Sequence, residues 1–101
     1  GFNRAYAYGG ARHGAKLGLG TYFAEDPTYA LRFCGRGSPR ALFLAGVLPG
    51  RVTRGEDGLI EPPLANDGAR FDSTVDNAAQ PKVFCVFRDF QALPLFLVEI
   101  A

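Results

Sequence analysis

Two glycines, two tyrosines and a helix start fall within the stretch Gly18-Leu19-Gly20-Thr21-Tyr22-Phe23-Ala24-Glu25-Asp26-Pro27-Thr28-Tyr29-Ala30. A strand-to-helix turn needs a glycine and a cap, but it does not need tyrosines on both sides of the bend. The surplus suggests the wall of a binding slot. Small residues at Gly20 and Thr21 let a ligand come near the backbone, and the Tyr22 hydroxyl can then donate to a ribose or an amide. Phe33 follows Tyr29 by one helical turn and shares its face, so it could form the floor or lid of a planar ring; such stacking is worth about 1–3 kcal/mol. A core tyrosine with a satisfied hydroxyl and an ordinary core aromatic pair explain the same residues without any ligand.

The remaining chemical candidates are weaker. Gly14, Gly18 and Gly20 suggest a phosphate cradle, but their spacing fits neither the Walker loop nor the dinucleotide fingerprint. His13, beside Gly14 in a polar loop, has no nucleophile and acid suggested nearby and reads as a solvated side chain. It is the one histidine, and Cys34 and Cys85 are the two cysteines, so zinc would need ligands from elsewhere and no metal is expected. One disulfide is conceivable, but the cysteines read rather as buried free thiols of a reducing compartment.

These residues need elements to hold them. Gly1 to Gly20 is glycine-rich without sustained periodicity and reads as a long loop. Thr21 to Ala24 is a short strand, and Asp26-Pro27 starts a helix, Asp as N-cap and Pro at the first helical position, running to about Phe33. Ala41 to Leu48 is a continuous apolar run that fits a buried strand. Arg51 to Leu59, around Asp57-Gly58, reads as a hairpin-like turn, and Asn66-Asp67-Gly68 turns the chain again. Lys82 to Phe87 and Leu95 to Ile100 are two further strands.

At 101 residues the chain is one domain at most. Its 48% hydrophobic and 13% aromatic residues, with nine Phe and four Tyr, argue against disorder. The formal charge of +1 gives no strong pull on nucleic acid or an anionic membrane, although the arginines leave room for a local anion site. There is no signal peptide and no apolar run long enough to cross a bilayer, which points to the nucleus or the cytoplasm. The opening residues already look like the middle of a packed structure, so the chain is expected to be part of a longer one.

Taken in order, "GFNR" at 1 to 4, "HGAKLGLGTYFAEDPTYA" at 13 to 30, "LFLAGVLPG" at 42 to 50, "EPPLANDG" at 61 to 68, "FDSTVDN" at 71 to 77, then "PKVFCVF" and "QALPLFLVEI" resemble the catalytic domain of the poly(ADP-ribose) polymerase family, most closely its mono-ADP-ribosyltransferase branch. The resemblance covers essentially the whole chain. It implies an α+β fold, a split antiparallel β-sheet that binds NAD in a crevice, present here as its C-terminal part (residues 1 to 101: donor loop, nicotinamide pocket and C-terminal strands) with the first strands outside the chain.

The activity implied is transfer of ADP-ribose from NAD, as substrate and without a metal, to a protein acceptor that could be the enzyme itself, with release of nicotinamide. Nucleic acid as acceptor is not indicated by the charge, and a membrane is not implied. The family's triad is His, Tyr, Glu. Tyr22 matches the tyrosine and Val83 stands at the glutamate position, so the two catalytic positions in this chain are Tyr22 and Val83. The cofactor-binding set implied is Arg4, on the adenosine half, with Gly20, Tyr22, Phe23, Ala24, Ala30 and Phe33. Phe33 stands where the family has a second tyrosine, and Ala30 where it commonly has a serine bonded to the nicotinamide amide. Val83 cannot hold a ribose hydroxyl, which fits transfer of a single unit with an acceptor carboxylate activating the ribose. The His-Gly pair of the family falls N-terminal to Gly1, so these residues by themselves are expected neither to bind NAD tightly nor to turn it over. Ala30, Leu19 in place of a lysine and the long glycine-rich loop also fit a catalytically inactive member of the same fold that serves as a protein or RNA interaction module.

Overall fold

The computed structural model describes residues 3–8, 16–31 and 40–100. Its elements run β1 (Asn3–Tyr8), β2 (Thr21–Ala24), α1 (Pro27–Leu31), β3 (Arg40–Val47), β4 (Val52–Arg54), β5 (Ser73–Val75), β6 (Val83–Val86), a 3-10 turn at Asp89–Gln91, and β7 (Ala92–Ile100). All seven strands join one sheet in the order β4-β5-β6-β2-β1-β3-β7. Every pairing is antiparallel except β4 with β5 at one edge.

The central strands read as apolar because both faces of the sheet are covered there. β6 is buried at all four positions, and β5 at all three. On one face Ala5, Phe23, Ala45, Val47, Val75, Phe84 and Val86 form the largest core cluster. Phe23 and Phe84, 4% and 5% exposed, each contribute about 1.5–3 kcal/mol by leaving water. Helix α1 lies on the other face, where Ala24, Ala30 and Leu42 pack together. Its start is the expected one: Asp26 Oδ1 accepts the Thr28 N–H at 2.8 Å, with Pro27 at the first helical position. It ends at Leu31; the rest of the span expected to about Phe33 lies outside the described residues.

Two expectations are corrected. Residues 1–20 are not all loop: Asn3–Tyr8 is an inner strand, paired on one side with β2 and on the other with β3. Its alternation of alanine and tyrosine puts the small Ala5 and Ala7 against the main core, and six residues of pattern were masked by the surrounding glycines. Arg51 to Leu59 is not a hairpin. β4 runs parallel to β5, and the turn at Gly58, with φ of +80°, carries Leu59 back to accept the Leu19 N–H at 2.7 Å. The turn at Asn66-Asp67-Gly68 is present, closed by Gly68 N–H to Ala65 C=O at 3.0 Å and by the Leu64–Arg70 bridge.

At the β3–β7 end the sheet leaves Phe43, Leu93, Leu95, Phe96 and Leu97 each more than two-fifths exposed. Where β3 ends and β7 begins, Gln91 ties distant parts together. Its side-chain amide lies 3.2 Å from the Leu48 carbonyl, 3.0 Å from that of Asp72 and 2.8 Å from Ser73 Oγ, and its oxygen accepts the Arg88 N–H. Gln91 is 2% exposed, so truncation strands buried polar groups. Gln91→Ala should lower the unfolding free energy by about 2–3 kcal/mol, read from urea unfolding; a loss no greater than that of an exposed-residue control such as Arg54→Ala would show that water replaces those bonds.

Candidate functional site

The geometry of β2 and β6 assembles the site. Tyr22 pairs with Cys85 and Ala24 with Val83, so side-chain alternation puts all four on one face. Tyr22 and Val83, both 6% exposed, and Cys85, at 0%, form one cluster against Leu17, Tyr29 and Phe87. The two positions matched to the family's tyrosine and glutamate therefore meet. Tyr29 of α1 packs against this cluster and against the neighbouring Ala24–Ala30–Leu42 cluster. A cavity of about 300 Å³ opens beside them, lined by Glu25, Asp26, Tyr29, Asp76, Lys82 and Val83. Asp76 Oδ1 accepts the N–H groups of Lys82 and Val83 at 3.0 and 3.1 Å and so sets where β6 begins.

Other expected members fall elsewhere. The Phe23 side chain points to the opposite face, into the main core, and is not brought to Tyr22. Arg4 is exposed and lines a different cavity, of about 540 Å³, with Asn3, Glu25, Pro49, Gly50 and Phe84 among its neighbours. Ala30 is fully buried against Ala24 and Leu42 rather than lining the cavity beside Val83. Phe33, His13 and Cys34 lie outside the described residues.

Gly20 is needed for a reason other than ligand approach. A Cβ there would collide with the Val86 carbonyl and lie 2.9 Å from Cys85 Sγ. The absent side chain lets the chain leading into β2 lie flush on β6. The Tyr22 hydroxyl is likewise engaged by the protein: it donates to the Gly18 carbonyl at 2.8 Å and accepts the Leu17 N–H at 2.8 Å. A second hydroxyl, Thr74 Oγ1 of β5, donates to the Leu17 carbonyl at 2.6 Å. Cys85, read from the sequence as a buried free thiol, is one, whereas Thr74 was not picked out, because a threonine inside a short strand looks like filler.

Burial raises the Tyr22 phenol above its ordinary value, partly offset by the Leu17 N–H. Burial also raises the Cys85 thiol, against the Gly20 N–H and the Thr74 and Tyr22 hydroxyls. Among the described residues no group of three or more His, Cys, Asp or Glu could hold a metal ion, and no helix is long and apolar enough to cross a membrane.

This is the fold of a PARP domain. The crystal structure of the PARP domain of Arabidopsis RADICAL-INDUCED CELL DEATH1 superposes with a TM-score of 0.73 at 17% identity, covering 99% of this chain and 68% of that one. The sequence is 41% identical to protein mono-ADP-ribosyltransferase PARP10 of Mus musculus, over 97% of this chain and 10% of that protein. It is 35% identical to PARP12 of Mus musculus, over 86% of this chain and 13% of that protein, and 34% identical to PARP11 of Mus musculus, over 86% and 33%. The chain thus spans about a tenth to a third of the length of these three curated relatives. No protein-family model matches it. Fold and relatives together show the resemblance to be to the PARP catalytic domain, in its mono-ADP-ribosyltransferase branch.

Two outcomes follow from the geometry. Gly20→Ala forces β2 and β6 apart and should cost about 1–3 kcal/mol, read as a lowered melting temperature; an unchanged value would mean the strands yield freely. The raised thiol and phenol also set a pH limit. The unfolded chain loses these protons near the ordinary values of 9.0 and 10.0, while the folded chain keeps them. The folded state then holds more protons, so the stability from this source is complete below about pH 9 and is lost as pH rises through the folded values. Urea unfolding from about pH 7 to about pH 10.5 should show the decline, and Cys85→Ala should delay its onset.

Proposed function

We propose that the protein carrying this chain transfers single ADP-ribose units from NAD to an acceptor protein, itself included, and releases nicotinamide. The observation that carries this reading is that Tyr22 and Val83 share one cluster on one face of β2 and β6, in a chain 41% identical to a mono-ADP-ribosyltransferase. In the reaction the bond between the ribose C1′ and the nicotinamide ring nitrogen breaks. The electron pair leaves with the ring, neutralising its positive charge, and an acceptor oxygen closes on C1′.

The chain's own residues contribute shape. The aromatic face of Tyr22, with Gly20 and Ala24 beside it, is assigned to the nicotinamide, and the resemblance assigns the family's second aromatic position to Phe33. Arg4 is assigned to the adenosine half. Val83 presents methyl groups where an activating carboxylate would otherwise hold a ribose hydroxyl, so nothing there prepares that hydroxyl for a second unit. A carboxylate on the acceptor can attack C1′ directly and needs no base to remove a proton. Rigid holding of the ribose and water exclusion supply the rest.

A second reading, a non-catalytic interaction module of the same fold, is favoured by two observations: the Tyr22 hydroxyl is already bonded to residues 17 and 18, and Ala30 is sealed against the sheet. Labelled NAD separates the two. The transferase reading expects acceptor adducts of one ADP-ribose unit each, and at least a tenfold loss of labelling in Tyr22→Ala, on the order of the loss of one stacking contact. A folded full-length protein that takes up no label would support the module instead, and adducts of several units would rule out the role given to Val83.

A further inference from the structure

Leu17 is gripped from both sides. Its N–H donates to the Tyr22 hydroxyl at 2.8 Å, its carbonyl accepts the Thr74 hydroxyl at 2.6 Å, and the next carbonyl, that of Gly18, accepts the Tyr22 hydroxyl at 2.8 Å. The two hydroxyls come from β2 and β5, which are not neighbours: β6 runs between them. The Thr74 side chain is fully buried at the position facing Cys85, on the face that carries Tyr22. Packing closes the remaining sides. Gly55 lies so near Leu17 that a Cβ would overlap it, Gly18 lies under the Phe87 ring with φ of +128°, and Leu19 is bonded to Leu59.

We propose that Thr74 is a positioning residue for the Tyr22 ring, acting through Leu17. A tyrosine ring turns about two side-chain torsions, and bonds at its far end add to the packing along its faces in fixing the tilt of the ring plane. Here the far end is fixed by Leu17 and Gly18, and Leu17 is fixed by Thr74. A valine at 74 keeps the volume and the burial but leaves the Leu17 carbonyl without the hydroxyl. Residues 17 and 18 then have a second arrangement available, and the ring follows. A slot that stacks a planar ring on Tyr22 depends on that tilt, because stacking weakens as the two planes lose register. The consequence for NAD rests on the transferase reading above; the grip on Leu17 does not.

Amide hydrogen exchange in the full-length protein tests it, comparing wild type, Thr74→Val, Thr74→Ser and Tyr22→Phe. Thr74→Val should speed exchange at Leu17 and Leu19 by about tenfold or more, while Ala45 and Val75 in the main core keep their protection. Thr74→Ser, which restores the hydroxyl, should return Leu17 towards the wild-type rate. Thr74→Val and Tyr22→Phe should be non-additive at Leu17, because either one opens the same grip. Unchanged exchange at Leu17, or acceleration spread evenly through the core, would overturn the inference. NAD affinity is read on the same four proteins. If Thr74→Val weakens binding severalfold and Thr74→Ser restores it, the positioning role extends to the ligand. If the wild type binds no NAD while Leu17 responds as stated, the grip stands and the transferase reading fails.

Discussion

Gly20 lies against the Val86 carbonyl, and the arrangement of the whole Tyr22 face depends on that contact. With no side chain in the way, the chain reaches β6 one residue before β2 begins, and the register Thr21–Val86, Tyr22–Cys85, Phe23–Phe84, Ala24–Val83 follows. A slip of one residue would turn every side chain of β2 over. Tyr22 would then enter the core now filled by Phe23 and Phe84, and Phe23 would face α1. Deep burial of Phe23, Phe84 and Val86 on one face and of Tyr22, Val83 and Cys85 on the other makes that slip costly. The glycine chooses the register, and the two clusters hold it.

Once the register is set, polar groups finish the site. Inside a dry cluster a phenol must find partners, and the Tyr22 hydroxyl finds two backbone groups of residues 17 and 18. Its partner residue Leu17 is in turn bonded to Thr74. The ring is therefore held by the sheet before any ligand arrives, which suits a stacking surface better than a hydroxyl waiting to act on substrate. The valine beside it has no chemistry of its own. A face made of a fixed aromatic ring and an aliphatic neighbour can bind and orient a flat cation but supplies no nucleophile or base of its own.

The parts of this design that follow local rules were legible in the sequence. The Asp26-Pro27 helix start, the strands read at 41–48, 82–87 and 95–100, and the turn at Gly68 rest on capping, apolar runs and glycine conformation, all of which act over a few residues; β7 begins three residues before its apolar run, at Ala92. β1 was not legible, because Asn-Arg-Ala-Tyr-Ala-Tyr buries alanines rather than large residues and is flanked by glycines. β4 was not either: three residues paired parallel across a long connection leave no local trace. Within the site, Tyr22 and Val83 could be matched by resemblance, yet the turn of Phe23 to the far face needed only the alternation rule along β2. Thr74 and Gln91 were invisible for a deeper reason. Each acts on backbone atoms distant in sequence, 57 residues away for the Thr74–Leu17 bond and 43 for Gln91–Leu48, and no spacing rule reports such partners.

For the proposed nicotinamide slot on the face of Tyr22, Val83 and Tyr29, nicotinamide itself is the most direct probe. Titrating it into the isotope-labelled full-length protein and following amide and aromatic resonances maps where the ring sits, independently of any transfer chemistry. The prediction is saturable shifts confined to Tyr22, Ala24, Tyr29 and Val83 with their neighbours at 17–20, and ring-current shifts on the Tyr22 protons from a stacked heterocycle. Saturable shifts centred on the Arg4–Phe84 side of the sheet, or none at any concentration in a folded protein, would contradict it.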